Sequence, residues 1–258
     1  MKHLPVAFVL LSCLTLLQPL TAEEDKTQTL PKESTKDRKI RHKKVAKRRQ
    51  GLVLMVHRGA TRIAPENTLM AYRAAVERGA DGCEIDIRKT KDGVLVLFHD
   101  PSVKRMLQGE GTIRDLTLAQ LRKIRFRGNN SKVPTFVEFL RLARKQAMLI
   151  HLDVKVPGVQ DRIIKLLDKA DMWDHIVEVN AGNADRIRNH QKVKLLRYKG
   201  WYPHPKPSDE RLQKFLASPG EMVFLKWDPK AIAARLRKAQ KTIEACSVHE
   251  ASDQPVEK

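Results

Sequence analysis

The chain has 258 residues, of which 41% are hydrophobic, and it carries 50 Lys and Arg against 30 Asp and Glu, a formal net charge of +20. This length supports one substantial core without help from disulfides, and an α/β barrel of about 200 residues or more fits a single domain. The positive charge draws anions and anionic surfaces toward the protein, but it specifies no reaction.

In chain order, Lys2-His3 precedes an apolar run from Leu4 to Leu17, and Leu20-Thr21-Ala22 resembles a signal-peptidase site. Residues 1–22 therefore read as an export signal cleaved after Ala22, placing the mature protein in a periplasmic or extracellular space. A membrane anchor needs about 20 uninterrupted apolar residues, whereas this run is broken by Pro5 and Gln18-Pro19. Leu10-Leu11-Ser12-Cys13 offers a lipoprotein box as an alternative, opposed by the apolar residues that continue past Cys13. Residues 23–50 hold 11 Lys or Arg against 5 Asp or Glu with no apolar periodicity, the composition of a basic disordered linker. Residues 36–49 of it are a candidate contact for anionic membrane or polymer. Specific nucleic-acid binding is not expected, because no aromatic residues interleave the basic ones. Cys83 and Cys246 remain after cleavage and read as two buried free thiols.

From Gly51 to residue 258 short apolar runs alternate with helical stripes, the pattern of βα units around a parallel sheet. The predicted strands are Leu52–Val56, Cys83–Ile87, Val94–Phe98, Ala147–Val154, Ile176–Val179, Val193–Tyr198, Met222–Lys226 and Thr242–Val248. Eight strands is the count of a TIM-barrel-like (β/α)8 fold. Among the predicted helices, Leu69, Tyr72, Ala75 and Val76 form a stripe that Asn67-Thr68 can start and Gly79 can end. The link from Arg88 to Gly93 is too short for a helix. Lys91-Asp92-Gly93 suits a hairpin turn, yet six extended residues span roughly 20 Å, enough to cross a barrel wall and re-enter in parallel.

The polar residues gather where the apolar runs end. His57-Arg58-Gly59 follows the first run and His99-Asp100 the third, so both histidines lie at strand C-terminal ends, the catalytic face of β/α barrels. Glu84 and Asp86 alternate with Ile85 and Ile87 and share one face, where a hard cation is the simplest way to keep both ionised. His151-Leu152-Asp153-Val154-Lys155 repeats the pattern, so Asp153 can complete a three-carboxylate site and Lys155 can meet a phosphate. Zinc held by His57, His99 and His151 is the chemical alternative. The three carboxylates favour Ca2+ or Mg2+ instead.

These residues, with Pro65-Glu66-Asn67-Thr68, Thr90-Lys91-Asp92-Gly93, Gly109-Glu110-Gly111 and Pro134-Thr135-Phe136, resemble in order and spacing the glycerophosphodiester phosphodiesterase family over residues 52–157. The resemblance implies a TIM-barrel-like phosphodiesterase barrel in which the strands at 83–87 and 94–98 run parallel. It implies that His57 and His99 are the acid and base, that Arg58 and Lys155 bind the phosphate, and that Glu84, Asp86 and Asp153 hold a divalent metal. The implied substrate is a small glycerophosphodiester, cleaved to glycerol 3-phosphate and an alcohol. Asp153 stands where most members carry Glu. The segment after residue 200 lacks the family's usual closing strands, so barrel closure there is expected to be irregular and a substrate-contacting aromatic to be missing. Two other readings keep the barrel: a phospholipase D-like enzyme acting on intact phospholipid, and a noncatalytic polyanion-binding protein.

Overall fold

The computed structural model describes residues 29–202, 208–226, 230 and 232–238. After helix α1 (Thr35–Arg48), the chain runs through β1 (Val53–His57), α2 (Leu69–Glu77), β2 (Gly82–Lys89), β3 (Leu95–Leu97), α3 (Leu118–Lys123), α4 (Phe136–Gln146) and β4 (Leu149–Val154). It continues through α5 (Gln160–Ala170), β5 (Ile176–Val179), α6 (Asp185–Arg188), β6 (Tyr198–Trp201), α7 (Asp209–Ala217) and β7 (Met222–Leu225).

Several helices begin where the sequence places a capping hydroxyl. Thr68 accepts from the Ala71 amide to open α2, and Thr135 forms a reciprocal capping box with Glu138 to open α4. Gly79, at φ 96°, takes the left-handed conformation just past α2.

Six parallel strands line up as β5-β4-β2-β1-β7-β6. The sheet curls as in a TIM-barrel-like fold, and one backbone hydrogen bond, from the Leu196 amide to the Val177 carbonyl at 2.9 Å, links the segment before β6 to β5 at the other end of the sheet. Strand alternation divides the core. Leu54, Val56, Cys83, Ile85, Ile87, Ile150, Leu152, Val223 and Leu225 face the helices. Val53, Met55, Leu149, Val177, Met222 and Phe224 fill the barrel interior near the strand starts. Higher along the same inward registers come His57, Glu84, Asp86 and Asp153, so the barrel is apolar at its base and acidic at its mouth. Gly82 is required where β2 crosses β4, because a Cβ there would lie 2.1 Å from the Leu149 carbonyl oxygen.

Three expectations need correction. First, β3 is antiparallel to β2, with Ile87 opposite Leu97 and Lys89 opposite Leu95. Thr90 closes the turn by hydrogen bonds with Val94, and Gly93 supplies φ 84°. Val94, Val96 and Phe98 then pack with Val103, Leu107, Ile113, Leu118, Leu121, Phe126 and Val133 in a separate cluster, so β3 roots an excursion outside the ring. Second, β6 begins at Tyr198, and Val193–Arg197 is not strand: Leu196 makes the seam bond, and the Arg197 carbonyl accepts from the Glu221 and Met222 amides. The seven described strands thus include six barrel strands; the predicted strand at 242–248 lies outside the described residues.

Third, the supposed linker contains the docked helix α1. Its one buried apolar side chain, Val45, plugs the base of the barrel among Val53, Met55, Leu149 and Met222. Arginines hold the rest: Arg48 donates to the Ala80 and Gln146 carbonyls, and Arg49 to those of Asp174, Ile176 and Lys194. Arg41, 3% exposed, pairs with Glu33 and donates to the Asp171 carbonyl. Its Nη1 also lies 3.1 Å from His175 Nε2. Because His175 Nδ1 donates to the Met148 carbonyl, Nε2 must be the acceptor, and the ring must be neutral.

Burial holds His175 down to about 4. The folded state thus takes up this proton later than the unfolded chain, whose histidine titrates near 6.5. The resulting stabilisation is complete above pH 6.5 and lost as pH falls toward 4, in total about 3 kcal/mol. Urea unfolding of wild type and His175→Gln across that window is expected to show a steeper loss in wild type by about this amount.

Candidate active site

His57 ends β1, and Arg58 turns the chain at φ 57°. Gly59 follows because a Cβ there would lie 2.8 Å from Ala71. Glu84 and Asp86 project inward from β2 and Asp153 from the neighbouring β4, with Asp86 directly opposite Asp153. One oxygen from each of the three carboxylates lies within 4.8 Å of the others.

Glu84 is 4% exposed and Asp86 fully buried. Burial, then repulsion by Asp86, pushes the Glu84 carboxyl well above the usual range. Burial works in the same direction on Asp86. The Asn67 hydrogen bond and the charges of Lys155 and Arg58 outweigh it and hold that group low. Lys155 Nζ lies 2.5 Å from Asp153 Oδ2 and 3.1 Å from Asp86 Oδ1, while Arg58 Nε lies 3.2 Å from Asp86 Oδ2. Asp86 Oδ1 is fully buried, and the Lys155 ammonium is the charge that faces it. Three clustered carboxylates that repel one another, with Glu84 pushed up for want of positive charge, fit a hard divalent cation.

In the sequence Asn67 stood in a helix start and in the motif Pro65-Glu66-Asn67-Thr68, without a role of its own. It donates to Asp86 Oδ2 at 2.8 Å and receives the Asp86 amide, and Tyr72 in turn donates to Asn67 Oδ1 at 2.6 Å. Both fix a carboxylate from beneath.

The histidines differ in setting. Burial, then the Arg58 charge, lowers His57 to about 4, so its ring is an uncharged proton acceptor at neutral pH. His99, on the excursion, presents Nδ1 to Asp100 Oδ1 at 2.6 Å, and its carbonyl receives two bonds from Arg88. The hydrogen bond from Arg105 draws Asp100 down to about 2. Arg105 also pairs with Glu66, which pairs with Arg58 at 3.3 Å. An ion-pair chain thus ties His99 on the excursion to Arg58 on the barrel. Arg105→Gln is expected to lower turnover about tenfold, as loss of a partner that orients a functional group does. Its thermal midpoint should move little, since the Arg105 side chain is 47% exposed. Steady-state kinetics with a melting curve tests both.

Beside these groups lies a cavity of about 440 Å³, bounded by His57, Glu84 and Asp153 on one side and by Tyr198, Trp201 and Phe224 on the other. Trp201 meets the His57 ring edge-on at 5.2 Å. The expected loss of an aromatic wall is therefore made good by residues from β6 and β7. Glu178, Asn180 and Arg188 complete the lining, and His151, expected only as a possible zinc ligand, bonds Asn180 instead.

All seven residues singled out in the sequence stand around the barrel mouth. Residues 57–203 match the glycerophosphoryl diester phosphodiesterase family, more than half of the chain. The chain belongs to that family. It is 31% identical over 154 residues to the glycerophosphodiester phosphodiesterase of Caldanaerobacter subterraneus, covering 55% of this chain and 62% of that one. It is 40% identical over 119 residues to human glycerophosphodiester phosphodiesterase 1, covering 43% of this chain and 36% of that one. The chain thus spans less than two thirds of the length of these relatives. Among solved structures, it resembles a glycerophosphodiester phosphodiesterase from Agrobacterium tumefaciens with a TM-score of 0.60 at 17% identity, covering 72% of this chain and 99% of that one. A Parabacteroides distasonis member gives a TM-score of 0.59 at 19% identity, covering 75% and 87%. These likenesses establish the family's TIM-barrel-like fold.

Proposed function

We propose that this family member hydrolyses glycerophosphodiesters to glycerol 3-phosphate and an alcohol. The observation that carries this reading is the meeting of three carboxylates, two histidines and two cations at one barrel mouth. Glu84, Asp86 and Asp153 would hold Ca2+ or Mg2+, which supplies positive charge to the phosphodiester and the departing oxygen. Arg58 and Lys155, both beside Asp86, would orient the phosphate. His57, uncharged, accepts the proton of the neighbouring glycerol hydroxyl as its oxygen bonds phosphorus and the alcohol's P–O bond breaks, and water then opens the resulting cyclic phosphate. His99, its Nδ1 held by Asp100, delivers a proton from Nε2 to the leaving alcohol. Overall one water is consumed, its oxygen ending on phosphorus and a proton on the alcohol.

The test is release of glycerol 3-phosphate from soluble glycerophosphodiesters by the purified chain, with Ca2+, Mg2+ or chelator. Release that is lost with chelator and restored by either ion supports the reading. Salt-dependent binding to polyanions with no hydrolysis would replace it with a noncatalytic barrel. Export remains part of the proposal; residues 1–28 lie outside those described, and the N-terminus of the mature protein, expected at Glu23, is its measure.

A further inference from the structure

The basic charge of α1 is sorted by residue type. Arg38, Arg41 and Arg48, with Arg49 at the helix end, all engage protein partners on the barrel side. Lys36, Lys39, Lys43, Lys44 and Lys47 are all exposed, and none has an ion pair or hydrogen bond among the described residues. At 3.6 residues per turn, Lys36, Lys39, Lys43, Lys47 and Ile40 fall within an arc of about 100° with Ile40 at one edge, and Lys44 lies about 40° beyond it, so unneutralised ammonium groups stand on both sides of one apolar side chain. Ile40 is 44% exposed. The helix's sole acidic residue, Asp37, is engaged by Ser34 at its N-terminus. Arg141 and Lys145 of α4 border the same surface beside Ile40 and Lys44.

The position of this face matters as much as its charge. Val45 plugs the strand-start end of the barrel and the arginines bond carbonyls at the beginnings of β2, β4 and β5. The acidic cluster lies at the strand ends, roughly 15 Å away along the barrel axis. The lysine face and the cavity mouth therefore point in opposite directions.

We infer that the outer face of α1 seats the protein on an anionic phospholipid surface, with the cavity turned away toward solution. Lysine ammonium groups act as point charges toward lipid phosphates, and an exposed apolar residue among basic ones gains by entering the headgroup boundary. A nucleic acid would gain nothing from Ile40 and finds no aromatic platform on this helix. No described helix is long and apolar enough to cross a membrane. A cavity facing away from its own support receives diffusible diesters rather than lipids of that bilayer; this clause alone rests on the hydrolase reading.

Co-sedimentation of the full chain with phosphatidylcholine vesicles, with and without phosphatidylglycerol, tests the surface. The anionic vesicles are expected to bind more tightly. Replacing Lys39, Lys43 and Lys47 together by Ala should weaken that excess about a hundredfold, at about fivefold per lysine. Ile40→Ser should weaken vesicle binding several-fold and leave binding to soluble polyphosphate unchanged. Equal vesicle binding by the lysine variant overturns the inference, and equal effects of Ile40→Ser on vesicle and polymer reassign the face to soluble polyanions. In a second arm, bound and free chain should hydrolyse soluble glycerophosphocholine at the same rate, and a collapse on vesicles overturns the orientation. Absence of hydrolysis in both states would remove the hydrolase reading while leaving the vesicle result standing.

Discussion

Asp86→Asn is expected to lower phosphodiester hydrolysis by more than about a hundredfold, since loss of even an outer partner of a metal ligand costs up to that much. The substitution keeps the shape of the side chain and its contact with Asn67, so the change is one of charge. Asp86 is the one carboxylate touched by both Arg58 Nε and Lys155 Nζ. Without it, each cation keeps one ion-pair partner among the described residues, Glu66 for Arg58 and Asp153 for Lys155. Removing one member of a buried pair costs about 3–5 kcal/mol, and the remaining partners place this case at the low end. The melting temperature without metal should therefore fall as well. Wild type should gain stability on addition of the activating ion, by about 2.7 kcal/mol at a hundred times the dissociation constant. Asp86→Asn should lose that gain. A variant that melts early but keeps the metal response would make Asp86 a structural counter-ion only.

His57→Ala and His99→Ala are each expected to reduce turnover by about 10²–10⁴-fold, the range of a positioned proton-transfer group, with the metal-induced rise in melting temperature retained. The retained response distinguishes lost chemistry from a collapsed site. The two variants should also separate by remedy. His57 is enclosed by Trp201 and the barrel wall, so His57→Ala opens a pocket that exogenous imidazole can occupy, whereas the side chain of His99 is 31% exposed and held mainly by Asp100. Partial rescue by imidazole is expected for His57→Ala alone, measured as turnover against imidazole concentration.

Much of this site was legible because strand alternation is a strong local signal. Glu84 and Asp86 point inward for the reason that Ile85 and Ile87 point outward, and no tertiary knowledge is needed to see it. The histidines were legible as the first polar residues after apolar runs. What stayed hidden depends on partners far apart in sequence or on groups with no periodicity. Arg105 and Glu66 pair across 39 positions, and nothing local to either names the other. Tyr72 belongs to an apolar stripe, and only its hydroxyl reveals the second duty. Helix α1 escaped notice because its anchors are guanidinium-to-carbonyl bonds rather than a hydrophobic face. The β2–β3 link is instructive in the other direction: Lys91-Asp92-Gly93 signalled a hairpin correctly, and the implication of the family resemblance displaced it.

The excursion that follows this hairpin has its own apolar cluster, cross-linked by bridges between Ser102 and Thr112 and between Leu107 and Phe126. Such a patch has the makings of an independently opening unit. His99 rides on it, whereas His57 and all three carboxylates belong to the ring. Transient unfolding of the excursion would uncouple the proton donor while ion affinity persists, so inactivation on mild heating would precede both loss of metal and global melting.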